Sequence, residues 1–201
     1  MIRDKNSKHK VIQQKLKDQV EKGIAAATDQ RGVCILLTGD GKGKSSSAFG
    51  MVMRSLGYGH KVGIVQFIKG EQLSGEEIFI KDNYPMLPFY QMDTGFTWDT
   101  QDREADITAA LASWRYAEKL LKNSEINLVV LDELTYMLAF DYLPEDAIVK
   151  AIQNRPRQQS VIMTGRGGGS VLRQIADTVT EIKNIKHAYD FGIQAQKGVD
   201  F

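Results

Sequence analysis

The apolar run VCILL at residues 33–37 passes straight into TGDGKGKSS at residues 38–46, and residues 45–56 then repeat apolar side chains at helical spacing. A buried strand, a glycine-rich turn and a helix in that order leave few folds open. The turn has to reverse the chain while aiming backbone N–H groups at one point, which is how such a turn cradles phosphate groups. Gly39, Gly41 and Gly43 permit close backbone approach, Lys44 supplies a compensating charge, and Ser45 brings a hydroxyl within reach of a magnesium ion. The stretch departs from the strict G-x-x-x-x-G-K-[ST] pattern at its first position, where Thr38 stands, and Lys42 is an extra cation within it. A glycine turn with no ligand is the plainer reading, but Gly-Lys-Ser at the start of the helix favours phosphate binding.

The second strong signal is INLVVLDELTYML at residues 126–138, an apolar strand ending in Asp132 and Glu133. A phosphate-loop fold needs carboxylates facing magnesium at such a strand end, so Asp132, Glu133 and Ser45 are the candidate metal-binding residues. Surface carboxylates closing a strand are the alternative. Between these signals the spacing predicts a strand at residues 61–67, a short helix at 71–82, a brief strand at 89–92, an aromatic loop at 93–101 and a helix at 102–122. That last helix carries Ile107, Leu111, Trp114, Ala117 and Leu121 on one face. Further on come a helix at 144–153, a strand at 160–164, the glycine turn GRGGGS at 165–170 leading into another helix, and a last strand at 178–183. Arg166, inside that turn, is a ligand candidate or an ordinary turn residue.

Alternating strands and helices argue for a phosphate-loop NTPase-like α/β fold. It has a mostly parallel central sheet, helices on both faces, and ligands at the carboxyl ends of the strands. Residues 1–30 stand apart as an N-terminal helical arm, in which Ile12, Leu16, Val20 and Ile24 form one narrow apolar stripe that packs in cis or in trans. Residues 31–201 form the remainder, a single phosphate-loop α/β domain.

At 201 residues and a net charge of +1 the chain has no electrostatic footprint for duplex nucleic acid, and no apolar run reaches membrane-spanning length. The polar start MIRDKNSKHK does not resemble a secretory signal, so a cytoplasmic enzyme is expected. Cys34, the one cysteine, falls in the first strand and reads as a small core hydrophobe; His9, His60 and His187 show no zinc spacing.

No Asn-Lys-x-Asp base-reading motif occurs, which disfavours a guanine-nucleotide switch, and no arginine-bearing lid of a small-molecule kinase is evident. The obvious insertion is GFTW, whose aromatics suit a flat apolar ligand. Here the chain resembles the ATP:corrinoid adenosyltransferases of the cob(I)alamin type. The resemblance rests on TGDGKGKSS, QFIKG at 66–70, GFTWDTQ at 95–101, VVLDELTYML at 129–138, DYLP at 141–144, TGRG at 164–167 and KHAYDFGIQAQKGVDF at 186–201.

The resemblance implies that Co(I) of a reduced corrinoid attacks the 5′ carbon of ATP and that triphosphate leaves, with Mg2+ or Mn2+ as the ion. It implies ATP held across the loop in the reverse sense to hydrolases, contacted by Thr38, Gly39, Asp40, Gly41, Lys42, Gly43, Lys44, Ser45 and Ser46 and, beyond the loop, by Glu133. It places Arg54 near the corrinoid. It sets Phe96 and Trp98 against the lower corrin face, excluding the lower axial ligand. Lys44, Phe96 and Trp98 are thereby the catalytic candidates. A homodimer and a reduced flavoprotein electron donor are implied as partners. Three departures stand out: Asp40 where asparagine is expected, Ser45 and Ser46 in place of threonines, and a GRGGGS segment richer in glycine than expected. The competing readings are a kinase or ATPase using the same loop, and a non-catalytic module that delivers nucleotide or corrinoid.

Overall fold

The computed structural model describes residues 2–68, 73–92 and 102–200, with side chains from residue 8 onward. The chain divides into two compact units, residues 1–30 and 31–201. The first is one long helix, α1 (Ile2–Ala26). Its apolar stripe is solvent-facing, from 51% exposure at Leu16 to 70% at Ile24.

Among the described residues the second unit has six strands: β1 (Cys34–Thr38), β2 (Val62–Gln66), β3 (Phe89–Gln91), β4 (Leu128–Asp132), β5 (Ser160–Thr164) and β6 (Thr178–Glu181). They lie in the order β3-β2-β4-β5-β1-β6, and every neighbouring pair is parallel. The sheet is thus wholly parallel among the described residues, where the sequence led us to expect mostly parallel. All five residues of β2 and of β4 are buried, as expected of strands covered on both faces.

The helices of this unit are α2 (Lys44–Gly57), α3 (Gly75–Asn83), α4 (Arg103–Lys122), α5 (Leu134–Ala139), α6 (Glu145–Gln153) and α7 (Ser170–Ile175). Alternate strand residues feed two cores. Leu37, Ile64, Val130 and Ile162 pack with Phe49 and Val52 of α2 and Ile80 of α3. Leu36, Val65, Leu131 and Met163 pack with Trp114 of α4, Met137 of α5, Ile148 of α6 and Leu172 of α7. This period of two follows from the pleat, which sends successive side chains to opposite faces.

Three details differ from the sequence reading. The helix expected from residue 71 starts at Gly75, where Ser74 caps it by accepting a hydrogen bond from the Glu77 amide at 3.3 Å. The buried face of α4 is rotated: Ile107 and Leu111 are half-buried, while Asp106, Ala110 and Ser113 are buried beside Trp114, Ala117 and Leu121. Polar residues survive there because they are paired. Tyr142 Oη donates to Asp106 Oδ2 at 3.1 Å and Ser113 Oγ to the Ala109 carbonyl at 2.8 Å. The last strand stops at Glu181, because residues 182 and 183 serve the glycine loop instead.

Cys34 is buried as expected, and burial pushes its thiol up to about 11. The native protein is therefore expected to resist iodoacetamide at pH 8–9, while protein in denaturant is alkylated. Equal labelling of both would contradict this placement.

Candidate active site

The ends of the strands form the floor of the site. Cα register sets Gln66 beside Asp132 and Leu37 beside Thr164, so the carboxyl ends of β1, β2, β4 and β5 are nearly level. Each of these strands ends in a polar residue, Thr38, Gln66, Asp132 or Thr164, and all four are buried.

Above β1 the glycine loop leads into α2. Gly39 and Gly43 hold positive φ of 97° and 119°, which disfavours any L side chain. Gly39 and Gly41 are also required by packing. A Cβ on Gly39 would lie 2.4 Å from the Ile182 carbonyl oxygen, and one on Gly41 would lie 2.7 Å from the Lys183 carbonyl. Reciprocal bonds lock this approach, Gly41 N to Ile182 O and Ile182 N to Thr38 O, both 2.8 Å. Two of the glycines read from sequence as phosphate-facing are therefore fitted to the chain leaving β6, while Gly43 faces open space. Gly43 is the N-cap of α2, whose first turn carries no acidic side chain and no side-chain cap. Its leading N–H groups and dipole favour an anion.

Lys44 is buried, and its Nζ donates to the carbonyls of Gly39 and Gly41, both at 2.8 Å. Burial lowers its pKa, Arg166 lowers it further, and Glu133, Asp40 and Asp132 act in the opposite sense. Ser45 is half-buried and Ser46 exposed. Lys42 is exposed and paired with Asp200 at 2.8 Å, and Asp40 is exposed.

At the end of β4, Glu133 takes a left-handed conformation with φ 58° and ψ 23°. That residue turns the chain into α5, a helix the sequence reading had not separated from the strand. Glu133 N donates to Thr164 Oγ1 at 2.9 Å, and Thr164 Oγ1 donates to Asp132 Oδ1 at 2.6 Å. The Glu133 Oε2 atom is buried and makes no hydrogen bond. Its carboxyl is pushed up to about 7, first by burial and then by Asp132, against the opposing charges of Lys44 and Arg166.

The structure thus brings Lys44, Asp132, Glu133 and Arg166 into one electrostatic neighbourhood. It does not bring Arg54 there. Arg54 is exposed in the last turn of α2, beside Val33, Ile35 and His60 at the opposite end of the sheet. Phe96 and Trp98 lie outside the described residues. Next to the start of α2 a cavity of about 480 Å³ is lined by Ser46, Phe49, Met53, Phe79, Ile80 and Val199.

Sequence reasoning missed Gln66 and Thr164, which bond Asp132 directly, and Gln91 and Glu77, which connect to it through Gln66. A signal existed in the polar residue that closes each apolar strand, including Gln91 at the end of β3.

A family model described as ATP:corrinoid adenosyltransferase BtuR/CobO/CobP matches residues 30–201. A corrinoid adenosyltransferase of Escherichia coli (strain K12) is 48% identical over 189 residues, covering 94% of this chain and 95% of that one. One from Pseudomonas aeruginosa is 48% identical over 198 residues, covering 98% of each chain. Among solved structures, the flagellar accessory protein FlaH from Methanocaldococcus jannaschii aligns with a TM-score of 0.52 at 14% identity, over 78% of this chain and 73% of that chain. That likeness concerns the fold alone. With the family model spanning both the glycine loop and the β4 carboxylates, this chain belongs to the ATP:corrinoid adenosyltransferase family.

Proposed function

We propose that the carboxyl end of this sheet transfers the 5′-deoxyadenosyl group of ATP to Co(I) of a reduced corrinoid. The cobalt electron pair forms the Co–C5′ bond, the C5′–O bond breaks, and triphosphate departs with that bond's electrons. The observation that carries the reading is the family match over residues 30–201, which contains every candidate site residue.

The nucleophile belongs to the substrate, so the work left to the protein is orientation and charge stabilisation. The start of α2 and Lys44 face the developing triphosphate charge. Lys44 is already desolvated and held by two loop carbonyls, so exchanging them for phosphate oxygens requires little reorganisation. Lys42 can trade Asp200 for the same charge. Thr38, Gly39, Asp40, Gly41, Gly43, Ser45 and Ser46 complete the nucleotide cradle.

The residues present fit a magnesium ion. Glu133 Oε2 is a buried hard-oxygen acceptor without a protein partner, and Ser45 lies in the first turn of the neighbouring helix. Glu133 and the Ser45 hydroxyl would hold the ion. Asp132, each oxygen of which accepts one protein hydrogen bond and keeps a further lone pair, would reach the ion through water. Bound there, the ion neutralises charge on the polyphosphate.

Phe96 and Trp98 are assigned to the lower corrin face on the family resemblance; Arg54, which the same resemblance sets near the corrinoid, lies at the opposite end of the sheet and is left out of this site. The same resemblance supports a homodimer, a reduced flavoprotein as electron donor and a cytoplasmic setting. Among the described residues no helix is long and apolar enough to cross a membrane. Incubation with ATP, Mg2+ and chemically reduced cobalamin under anaerobic conditions is expected to yield adenosylcobalamin and triphosphate in equal amounts. ADP or orthophosphate as the product would replace this reading with ordinary phosphoryl transfer.

A further inference from the structure

We propose that Gln66, Gln91 and Glu77 are positioning residues that hold the β4 carboxylate end in its metal-binding arrangement, through a one-way chain of hydrogen bonds that runs from part-buried links at Gln91 to fully buried ones at Asp132. The proposal rests on the reading of Glu133 as the magnesium-binding carboxylate.

The chain begins on α3. Glu77 is fully buried, and Lys81, one turn later, donates to its Oε1 at 2.6 Å. Gln91 Nε2 donates to Glu77 Oε2 and to Gln66 Oε1, both at 2.9 Å. Gln66 Nε2 donates to Asp132 Oδ2 at 3.0 Å, and Thr164 Oγ1 donates to Asp132 Oδ1 at 2.6 Å. Thr164 Oγ1 in turn accepts the amide of Glu133.

Donor and acceptor chemistry gives this chain a direction. Ionised carboxylates only accept, so Glu77 at one end and Asp132 at the other dictate which way both amides face. Gln91 must present its NH2 group to Glu77, and Gln66 must present its own to Asp132. The two amides then meet as donor and acceptor. Flipping either amide sets an NH2 group against an NH2 group, or an oxygen against a carboxylate.

The same register decides the role of Asp132. With one donor on each oxygen it is pinned in the plane of the strand ends. Thr164, its hydrogen committed to Asp132, offers a lone pair to the Glu133 amide. That contact holds the residue with φ 58° from which the Glu133 side chain departs. Two buried carboxylates, a buried amide and a half-buried one are costly, and apolar residues of equal volume would serve stability as well. Their directional pairing is accounted for by a demand on geometry at Glu133.

The test measures the Mg2+ dependence of ATP binding to the full chain, alongside ATP affinity in EDTA. Gln66→Met removes the donor to Asp132 at similar volume, and Glu77→Gln changes one atom while removing the acceptor-only end. Both are expected to raise the Mg2+ concentration for half-maximal binding by about tenfold, with ATP affinity in EDTA unchanged. Gln66→Asn, which keeps an amide on a shorter stem, is expected to recover part of the loss. Glu133→Gln separates the two readings. If it leaves the Mg2+ dependence at the wild-type value, the metal assignment itself is wrong. If it shifts that dependence while Glu77→Gln does not, the metal reading stands and the positioning chain is overturned. Should Gln66→Met fail to fold, the single-atom Glu77→Gln variant decides the matter alone.

Discussion

Lys44→Ala is expected to lower kcat/KM for adenosyl transfer by about 10²–10³-fold, the usual loss when one preorganised partner of a developing anion is removed. Lys44 stands at the first residue of α2 and is 5% exposed, so in the proposed reaction its charge would act on the leaving triphosphate across little solvent. Its two carbonyl contacts also fix where Gly39 and Gly41 run. Lys44→Arg is expected to restore little, because the cradle between two carbonyls at 2.8 Å suits a compact ammonium and leaves no room for a planar fork. Steady-state kinetics with saturating reduced cobalamin and varied ATP read the effect. A loss below tenfold would remove Lys44 from the catalytic set.

The second large effect is on stability. Gly168→Ala is expected to cost about 2–4 kcal/mol, the sum of a left-handed conformation forced on an L residue and an overpacked contact. Gly168 has φ 57°, and a Cβ there would lie 2.3 Å from the Thr135 carbonyl oxygen and 2.7 Å from the Ala139 amide nitrogen. Both obstacles are backbone of α5 and cannot swing aside. Gly167→Ala is the matched control. Its φ is 63°, but nothing lies within 4 Å of the added carbon, so only the conformational cost of about 1–2 kcal/mol applies. Urea unfolding of the two variants separates packing from backbone preference, and equal losses would contradict the close approach to α5. Activity is expected to fall with Gly168→Ala beyond the loss of folded protein, because Thr135 Oγ1 anchors the Arg166 carbonyl at 3.2 Å. Displacing that loop moves the Arg166 charge away from Lys44 and Glu133.

The glycine-rich GRGGGS turn illustrates how the two levels of information divide. Its composition announced a turn, but the need for glycine at residue 168 comes from α5, which lies between residues 134 and 139. Gly39 and Gly41 repeat the lesson. Their spacing marked a phosphate loop, yet the neighbours that exclude a side chain are Ile182 and Lys183. Arg54 stood ten residues after Lys44 in a helix that was correctly recognised. A rise of about 1.5 Å per residue carries it to the far end of the sheet, away from the loop.

Much was legible because it depends on near neighbours. The strand, loop and helix around residues 33–57, the strand that ends at Asp132 and the family itself all follow from short-range sterics, alternation and contiguous motifs. What tertiary structure decided is the register of the parallel strands. Only when Gln66 lies beside Asp132, Leu37 beside Thr164 and Gln66 beside Gln91 do separate polar strand ends become one network. Parallel partners are joined by long crossovers, so no local pattern encodes which strand ends will be level. The sheet's hydrogen bonding and the packing of helices on its two faces set that alignment, and with it the buried acceptor at Glu133.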